Sequence, residues 1–170
     1  MKLQRYEGNP ILAPNPQNAW ESLVTTNPGA WYDEATHTVY LLYRAAGADV
    51  EHHIYLGLAV SKDGYHFERV SDQPALAPSV DGFDAGCVED PRIVKMGAYY
   101  YITYASRPYP PGQYWLHDHT PYTPDCPLEF PQAIRENLTS TNLAITQDFQ
   151  HYIRAGRLTD PTVDDRDVIR

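Results

Sequence analysis

The chain has 170 residues, enough for one domain with a substantial core, and its 42% hydrophobic and 21% charged content describes a globular chain rather than a disordered one. A net charge of −9 argues against nucleic acid or an anionic membrane as a partner and is compatible with an uncharged ligand. The only two cysteines, Cys87 and Cys126, form no C-x-x-C pair, so no metal site is expected on them. No apolar core follows Met1-Lys2-Leu3-Gln4-Arg5, as a secretory signal would require, and no run approaches the roughly 20 apolar residues of a membrane span. A reduced, cytoplasmic protein is the expectation, and the sequon Asn137-Leu138-Thr139 then carries no meaning.

In chain order, short apolar runs bounded by turn residues predict strands near 29–32, 39–45, 54–61 and 66–70, then near 91–95, 99–105, 142–146 and 151–154. Asp33-Glu34-Ala35-Thr36, Lys62-Asp63-Gly64 and Met96-Gly97 are the turn signals between them. At most one helical turn is expected, near 132–138. The chain also repeats itself. Leu58 to Arg69 aligns with Leu143 to Arg154 at an offset of 85, with Leu, Ala, Asp, His and Arg identical. Thr38 to Ala45 resembles Ala98 to Ala105 at an offset of 60, which implies an insertion of about 25 residues in the second copy. Residues 107–137 hold seven of the fifteen prolines and read as that insertion, a lid or linker with enough aromatic residues to be ordered.

Repeated four-stranded units of this length are the pattern of an all-β fold, a β-propeller; a two-sheet sandwich is the alternative. The 170 residues supply about two blades and the start of a third, which does not close a ring. Further blades are therefore expected, from a longer protein or from another chain, and a homo-oligomer is one way to supply them.

The stretch with most chemical content is Glu89-Asp90-Pro91-Arg92. Proline restricts its own φ and the conformation of the residue before it, so Asp90 is expected extended, at the mouth of a strand. A carboxylate fixed beside a guanidinium can serve as a general acid; an acidic turn closed by a salt bridge is the alternative. As an acid, Asp90 would need burial or the like charge of Glu89 to hold its proton. Arg44 ends an apolar strand, where a charge needs a partner. His66 and His151 recur beside Asp63 and Asp148 and read as structural, since one site does not need both. His52-His53 and His117-x-His119 lack further metal ligands nearby and read as polar loops.

Asn9-Pro10-Ile11-Leu12, Trp20-Glu21, Asn27-Pro28-Gly29, Leu41-Leu42-Tyr43-Arg44, Ser61-Lys62-Asp63-Gly64, Glu89-Asp90-Pro91-Arg92 and Asp165-Arg166-Asp167 follow one another in this order. In that order they resemble glycoside hydrolase family 130, the β-mannoside phosphorylases and β-mannosidases, and the likeness covers the chain as the N-terminal half of such an enzyme. The resemblance implies a five-bladed propeller, Asp90 as catalytic acid, Asn27 and Arg44 as residues gripping the sugar, and Glu89 and Arg92 as its flanking contacts. It also implies inversion by single displacement. Phosphate is the nucleophile in the phosphorylases, where the proton travels through a substrate hydroxyl, and water is the nucleophile in the hydrolases.

For phosphate, Arg166 matches one of the family's basic contacts, whereas Ser140 stands where another arginine is expected; Arg107 or Arg135 could substitute. That loss tilts the expectation toward an inverting β-mannosidase, with a phosphorylase releasing mannose 1-phosphate as the alternative. A non-catalytic sugar-binding propeller or inactive fragment is a further alternative. Tyr114 and Trp115 would be either a platform for the leaving sugar or part of a lid packed on its own scaffold. A small oligosaccharide is the expected partner, with no metal or organic cofactor and inorganic phosphate only as a co-substrate.

Overall fold

The computed structural model describes residues 2, 4–111 and 137–160. They form eight strands: β1 (Val24–Asp33), β2 (Thr38–Ala46), β3 (Ile54–Ser61), β4 (Glu68–Arg69), β5 (Cys87–Met96), β6 (Tyr99–Arg107), β7 (Ser140–Thr146) and β8 (Tyr152–Arg157). Helix among the described residues is a single 3₁₀ turn, Ala19–Glu21. None of them forms a helix long and apolar enough to cross a membrane. Each group of four strands is an antiparallel meander, β1 to β4 and β5 to β8. A single parallel pair, Ile54 with Cys87, joins β3 to β5. The fold is therefore all-β, as expected. The first strand of each meander begins well before its predicted start, at Val24 and Cys87, and the fourth strand of the first shrinks to two residues.

The main core lies between the two meanders, where Leu42, Leu56 and Leu58 meet Val88, Ile93 and Ile102. At the start of each meander a buried carboxylate ties three segments together. Glu21, fully buried, accepts bonds from Tyr43 Oη at 2.9 Å and from Arg69 Nε at 2.9 Å. Asp84, 1% exposed, accepts the same pair from Tyr104 Oη at 2.9 Å and Arg154 Nε at 2.7 Å. The two arginines also donate to equivalent backbone carbonyls, Ala13 and Ala77. A buried carboxylate is tolerated only with such donors, so each clamp fixes the loop that leads into its meander.

The clamps set the repeat. Tyr43 and Tyr104 are 61 positions apart, and so are Leu42 and Thr103, which pair with the equivalent residues Gly29 and Arg92. The offset of 60 expected from sequence is thus corrected to 61. A slip of one residue would turn every side chain of the strand to the other face, taking Tyr104 off its carboxylate. The excess in the second meander is then 24 residues, since β3 and β7 keep the offset of 85. Most of that insertion, with residues 132–136 of the expected helical turn, lies outside the described residues.

The third-to-fourth strand turns are built alike. Asp63 Oδ1 accepts from the Tyr65 and His66 amides at 2.8 Å each, while Asp63 Oδ2 meets His66 Nδ1 at 2.6 Å. Asp148 repeats this with Gln150, His151 and the His151 ring. These bonds hold both aspartates well below the usual carboxylate range, the histidine side chain being the largest cause. Both histidines are turn-closing groups.

Candidate active site

Two β-bulges build the site. In β1, Thr26 pairs with Arg44 and Gly29 with Leu42, so Asn27 and Pro28 stand opposite Tyr43 alone. In β5, Glu89 pairs with Ala105 and Arg92 with Thr103, so Asp90 and Pro91 stand opposite Tyr104 alone. Proline inside a strand is accommodated at such a bulge, where no ladder bond is required of it. The residue before each proline has positive φ, 41° at Asn27 and 52° at Asp90. This corrects the expectation of an extended Asp90 at the mouth of a strand. Proline disfavours the right-handed region for its predecessor, and the bulge imposes the left-handed one, which Asn and Asp tolerate best among non-glycine residues. Such backbone costs on the order of 1–3 kcal/mol and is kept where the surroundings enforce it.

The surroundings are the two first strands lying side by side. A Cβ on Gly29 would sit 2.4 Å from the Pro91 carbonyl oxygen, so only glycine permits this approach. It brings the two bulge residues together: Asn27 Nδ2 donates to Asp90 Oδ1 at 2.9 Å. Thr26 Oγ1 fixes the amide by donating to Asn27 Oδ1 at 2.8 Å. Arg44, on β2, reaches across the same gap, its guanidinium 3.1 Å from Asp90 Oδ1 and 2.7 Å from Glu89 Oε2. Both bonds to Asp90 fall on Oδ1.

Burial differs along the corner. The Glu89 side chain is 7% exposed and that of Asp90 25%. Burial pushes the Glu89 carboxyl up, with Arg44 pulling it back, Asp90 adding a like charge and Arg107 again opposing. Burial disfavours the Arg44 cation, but Glu89 and then Asp90 outweigh it and hold the guanidinium above its ordinary range. Cys87, fully buried, donates to Glu89 Oε1 at 3.5 Å, and burial first and Glu89 second keep its thiol well up and unreactive.

Of the residues expected at the site, Asn27, Arg44, Glu89 and Asp90 converge. Arg92 is turned to the backbone, donating to the carbonyls of Asp90 at 3.3 Å and Pro91 at 3.0 Å. The guanidinium that meets Asp90 therefore comes from Arg44, not from its neighbour in sequence. Arg107 lies on the far side of Glu89, 3.8 Å from Oε1, and donates to the Asn137 carbonyl at 2.8 Å. Ser140 is buried on β7, its hydroxyl 3.3 Å from Asn142 Oδ1. Tyr114, Trp115, Arg135 and Arg166 lie outside the described residues. A cleft of about 720 Å³ opens beside this end of the sheet, among Glu51, His53, Phe83, Tyr109, Ser140 and Arg157.

Three participants were not singled out as site residues from sequence: Thr26, Gly29 and Asn137. A signal was present for the first two. Asn27-Pro28 and Asp90-Pro91 are 63 positions apart, and so are Trp20-Glu21 and Phe83-Asp84, while Leu12-Ala13-Pro14 recurs as Leu76-Ala77-Pro78. That spacing places the two X-Pro bulges at equivalent points of neighbouring meanders.

Residues 2–120 match the model of a family described as beta-1,4-mannooligosaccharide phosphorylase, glycoside hydrolase family 130. A 1,2-beta-oligomannan phosphorylase from Thermoanaerobacter sp. (strain X514) is 38% identical over 109 residues, covering 61% of this chain and 36% of that protein. The crystal structure of a glycosyl hydrolase from Bacteroides ovatus superposes with a TM-score of 0.64 at 22% identity, over 90% of this chain and 40% of that one. The beta-1,2-mannobiose phosphorylase from Listeria innocua, in complex with beta-1,2-mannobiose, gives 0.63 at 18% identity, over 92% and 51%. These two likenesses are of fold. The chain thus spans roughly a third to a half of the proteins it matches.

Proposed function

The chain belongs to glycoside hydrolase family 130, and from that membership we propose that it carries the acid of an enzyme cleaving β-mannosides with inversion, with Asp90 protonating the departing sugar oxygen. The observation that carries this reading is the bulge at Asp90: Oδ1 is held by Asn27 and Arg44, which leaves Oδ2 to deliver the proton. The two meanders are read as two blades of a five-bladed propeller, with further strands completing the ring. Asn27 and Arg44 are also proposed to bind hydroxyls of the sugar beside the acid.

The nucleophile is proposed to be inorganic phosphate. Its oxygen bonds to the anomeric carbon, the glycosidic C–O bond breaks, and its electron pair goes to the leaving oxygen, which takes the Asp90 proton directly or through a substrate hydroxyl. The products are mannose 1-phosphate and the shortened sugar. The family description and the Thermoanaerobacter relative support phosphorolysis and turn the reading from the hydrolysis favoured by sequence. Arg166 is a proposed phosphate contact, and Tyr114 with Trp115 a proposed platform for the leaving sugar. Hydrolysis is the second reading, supported by Ser140, whose buried hydroxyl cannot replace a guanidinium toward a dianion. A cytoplasmic location suits either.

The test is product analysis on the full-length protein with β-1,2- and β-1,4-linked mannobiose, with and without phosphate. Mannose 1-phosphate formed only with phosphate, and lost in Asp90→Asn, is the expected result. Phosphate-independent release of mannose would replace phosphorolysis by hydrolysis. Full turnover in Asp90→Asn would remove the acid from this residue altogether.

A further inference from the structure

The β6–β7 insertion leaves the sheet at Arg107 and returns at Asn137, and these two ends are fastened to each other. The Asn137 side chain spans the Tyr109 backbone, accepting from its amide at 2.9 Å and donating to its carbonyl at 3.0 Å. Arg107 donates to the Asn137 carbonyl at 2.8 Å. Asn137 is 3% exposed and has positive φ, 52°, so the clamp is internal to the protein. The same Arg107 lies 3.8 Å from Glu89, whose other oxygen is 2.7 Å from Arg44, the guanidinium bound to Asp90.

We propose that the stem of this insertion positions the catalytic acid: Asn137 holds Arg107 against Glu89, and Glu89, steadied between two arginines, holds Arg44 on Asp90. This rests on Asp90 being the acid. Arg107 thereby becomes a positioning residue rather than a phosphate ligand. The charged and titratable groups that face Glu89 are Arg44 from β2, Arg107 from β6, and Asp90 and Cys87 on its own strand. Burial already favours the protonated form of Glu89, and the arginines oppose it. Once Glu89 takes a proton, Arg44 loses its buried anchor and its hold on Asp90 changes.

The test is the pH profile of kcat/KM in the full-length protein. Removing the charge in Arg107→Gln makes Glu89 easier to protonate, so the acid-side limb moves to higher pH by roughly 0.5–1 unit for one half-exposed charge at this distance. Arg107→Lys, which keeps the charge, restores the limb. Asn137→Gly keeps the positive-φ backbone but loses the amide clamp, and moves the limb the same way by less. KM for phosphate stays within about twofold of wild type in all three, each tenfold being worth about 1.4 kcal/mol of contact. A limb that stays put in both Arg107→Gln and Asn137→Gly overturns the proposal, whatever happens to stability. A large rise in KM for phosphate with an unmoved limb overturns it in favour of direct phosphate binding. Turnover surviving in Asp90→Asn is a different failure, since it removes the acid and not the stem.

Discussion

Asn27→Asp isolates what the neighbouring bulge does for Asp90, the proposed acid. Asp tolerates positive φ as Asn does and has nearly the same shape, so the backbone of the bulge is kept. What changes is one contact: the amide that donates to Asp90 Oδ1 at 2.9 Å becomes a second carboxylate oxygen. Two full charges at that separation repel by about 6 kcal/mol at an effective dielectric of about 20. Asp90 is 25% exposed and Asn27 more so, and Arg44 offsets part of the repulsion, which leaves a shift on the order of 1–2 pH units. The sign is fixed by the chemistry. Two adjoining carboxylates keep one proton between them to higher pH, and a general acid works only while it holds its proton. The alkaline limb of the kcat profile therefore moves upward in Asn27→Asp, while Asn27→Ser, which adds no charge, moves it little. The assay is initial mannoside cleavage across pH 5–9 at saturating phosphate. An unmoved alkaline limb in Asn27→Asp, with its fold intact by circular dichroism, would refute the idea that Asp90 is the proton donor.

Two further outcomes follow from buried groups. Glu89 has its carboxyl raised by burial, so the native state holds a proton that the unfolded chain gives up near pH 4.3. Its contribution to stability is full below that pH and is lost as pH rises through the native value; Glu89→Gln removes that loss, so the wild-type-minus-variant difference in urea-unfolding free energy should decline from pH 4 toward neutrality. Phe149 sits at φ 58°, where the first meander has Gly64, yet is 2% exposed and packs 4.8 Å from Tyr40 and 4.4 Å from Tyr100. Phe149→Ala should cost about 3–5 kcal/mol by thermal or urea denaturation. Phe149→Gly, although smaller, should recover about 1 kcal/mol of that because it accepts the left-handed backbone.

The all-β fold, the repeat and the third-to-fourth strand turns were legible because they are local. Short apolar runs bounded by turn residues, and an Asp whose side chain closes onto the amides two and three residues later, need no tertiary information. The register of β2 against β6 was not. β2 carries Val39-Tyr40-Leu41-Leu42-Tyr43 and β6 carries Tyr99-Tyr100-Tyr101-Ile102, runs that lack the alternation that fixes a face, and only the buried partners Glu21 and Asp84 decide it. The corner at Asp90 was legible as a meeting of acids with a guanidinium, and wrong in its backbone geometry and in which arginine takes part. The rule for a residue before proline anticipates an extended strand end, whereas the pairing of Glu89 with Ala105 and Arg92 with Thr103 forces a bulge. That Arg44 would reach Asp90 across 46 residues depended on how closely the meanders approach, which the single glycine at 29 permits.

The two meanders also show how a single carboxylate corner, the proposed acid among its groups, arises from a duplicated frame. At positions equivalent by the observed register, the clamps keep their chemistry: Glu21 and Asp84, Tyr43 and Tyr104, Arg69 and Arg154. Around the bulges the same register pairs Thr26 with Glu89, Asn27 with Asp90 and Arg44 with Ala105, and every pair differs in charge. The first meander thus supplies the donors and the second the carboxylates. Had the bulges stayed identical, two amides would offer no proton, and two carboxylates 2.9 Å apart would share one. A symmetric frame places the two residues in contact, and their divergence leaves one carboxyl, the proposed proton donor, beside one amide that donates to its Oδ1.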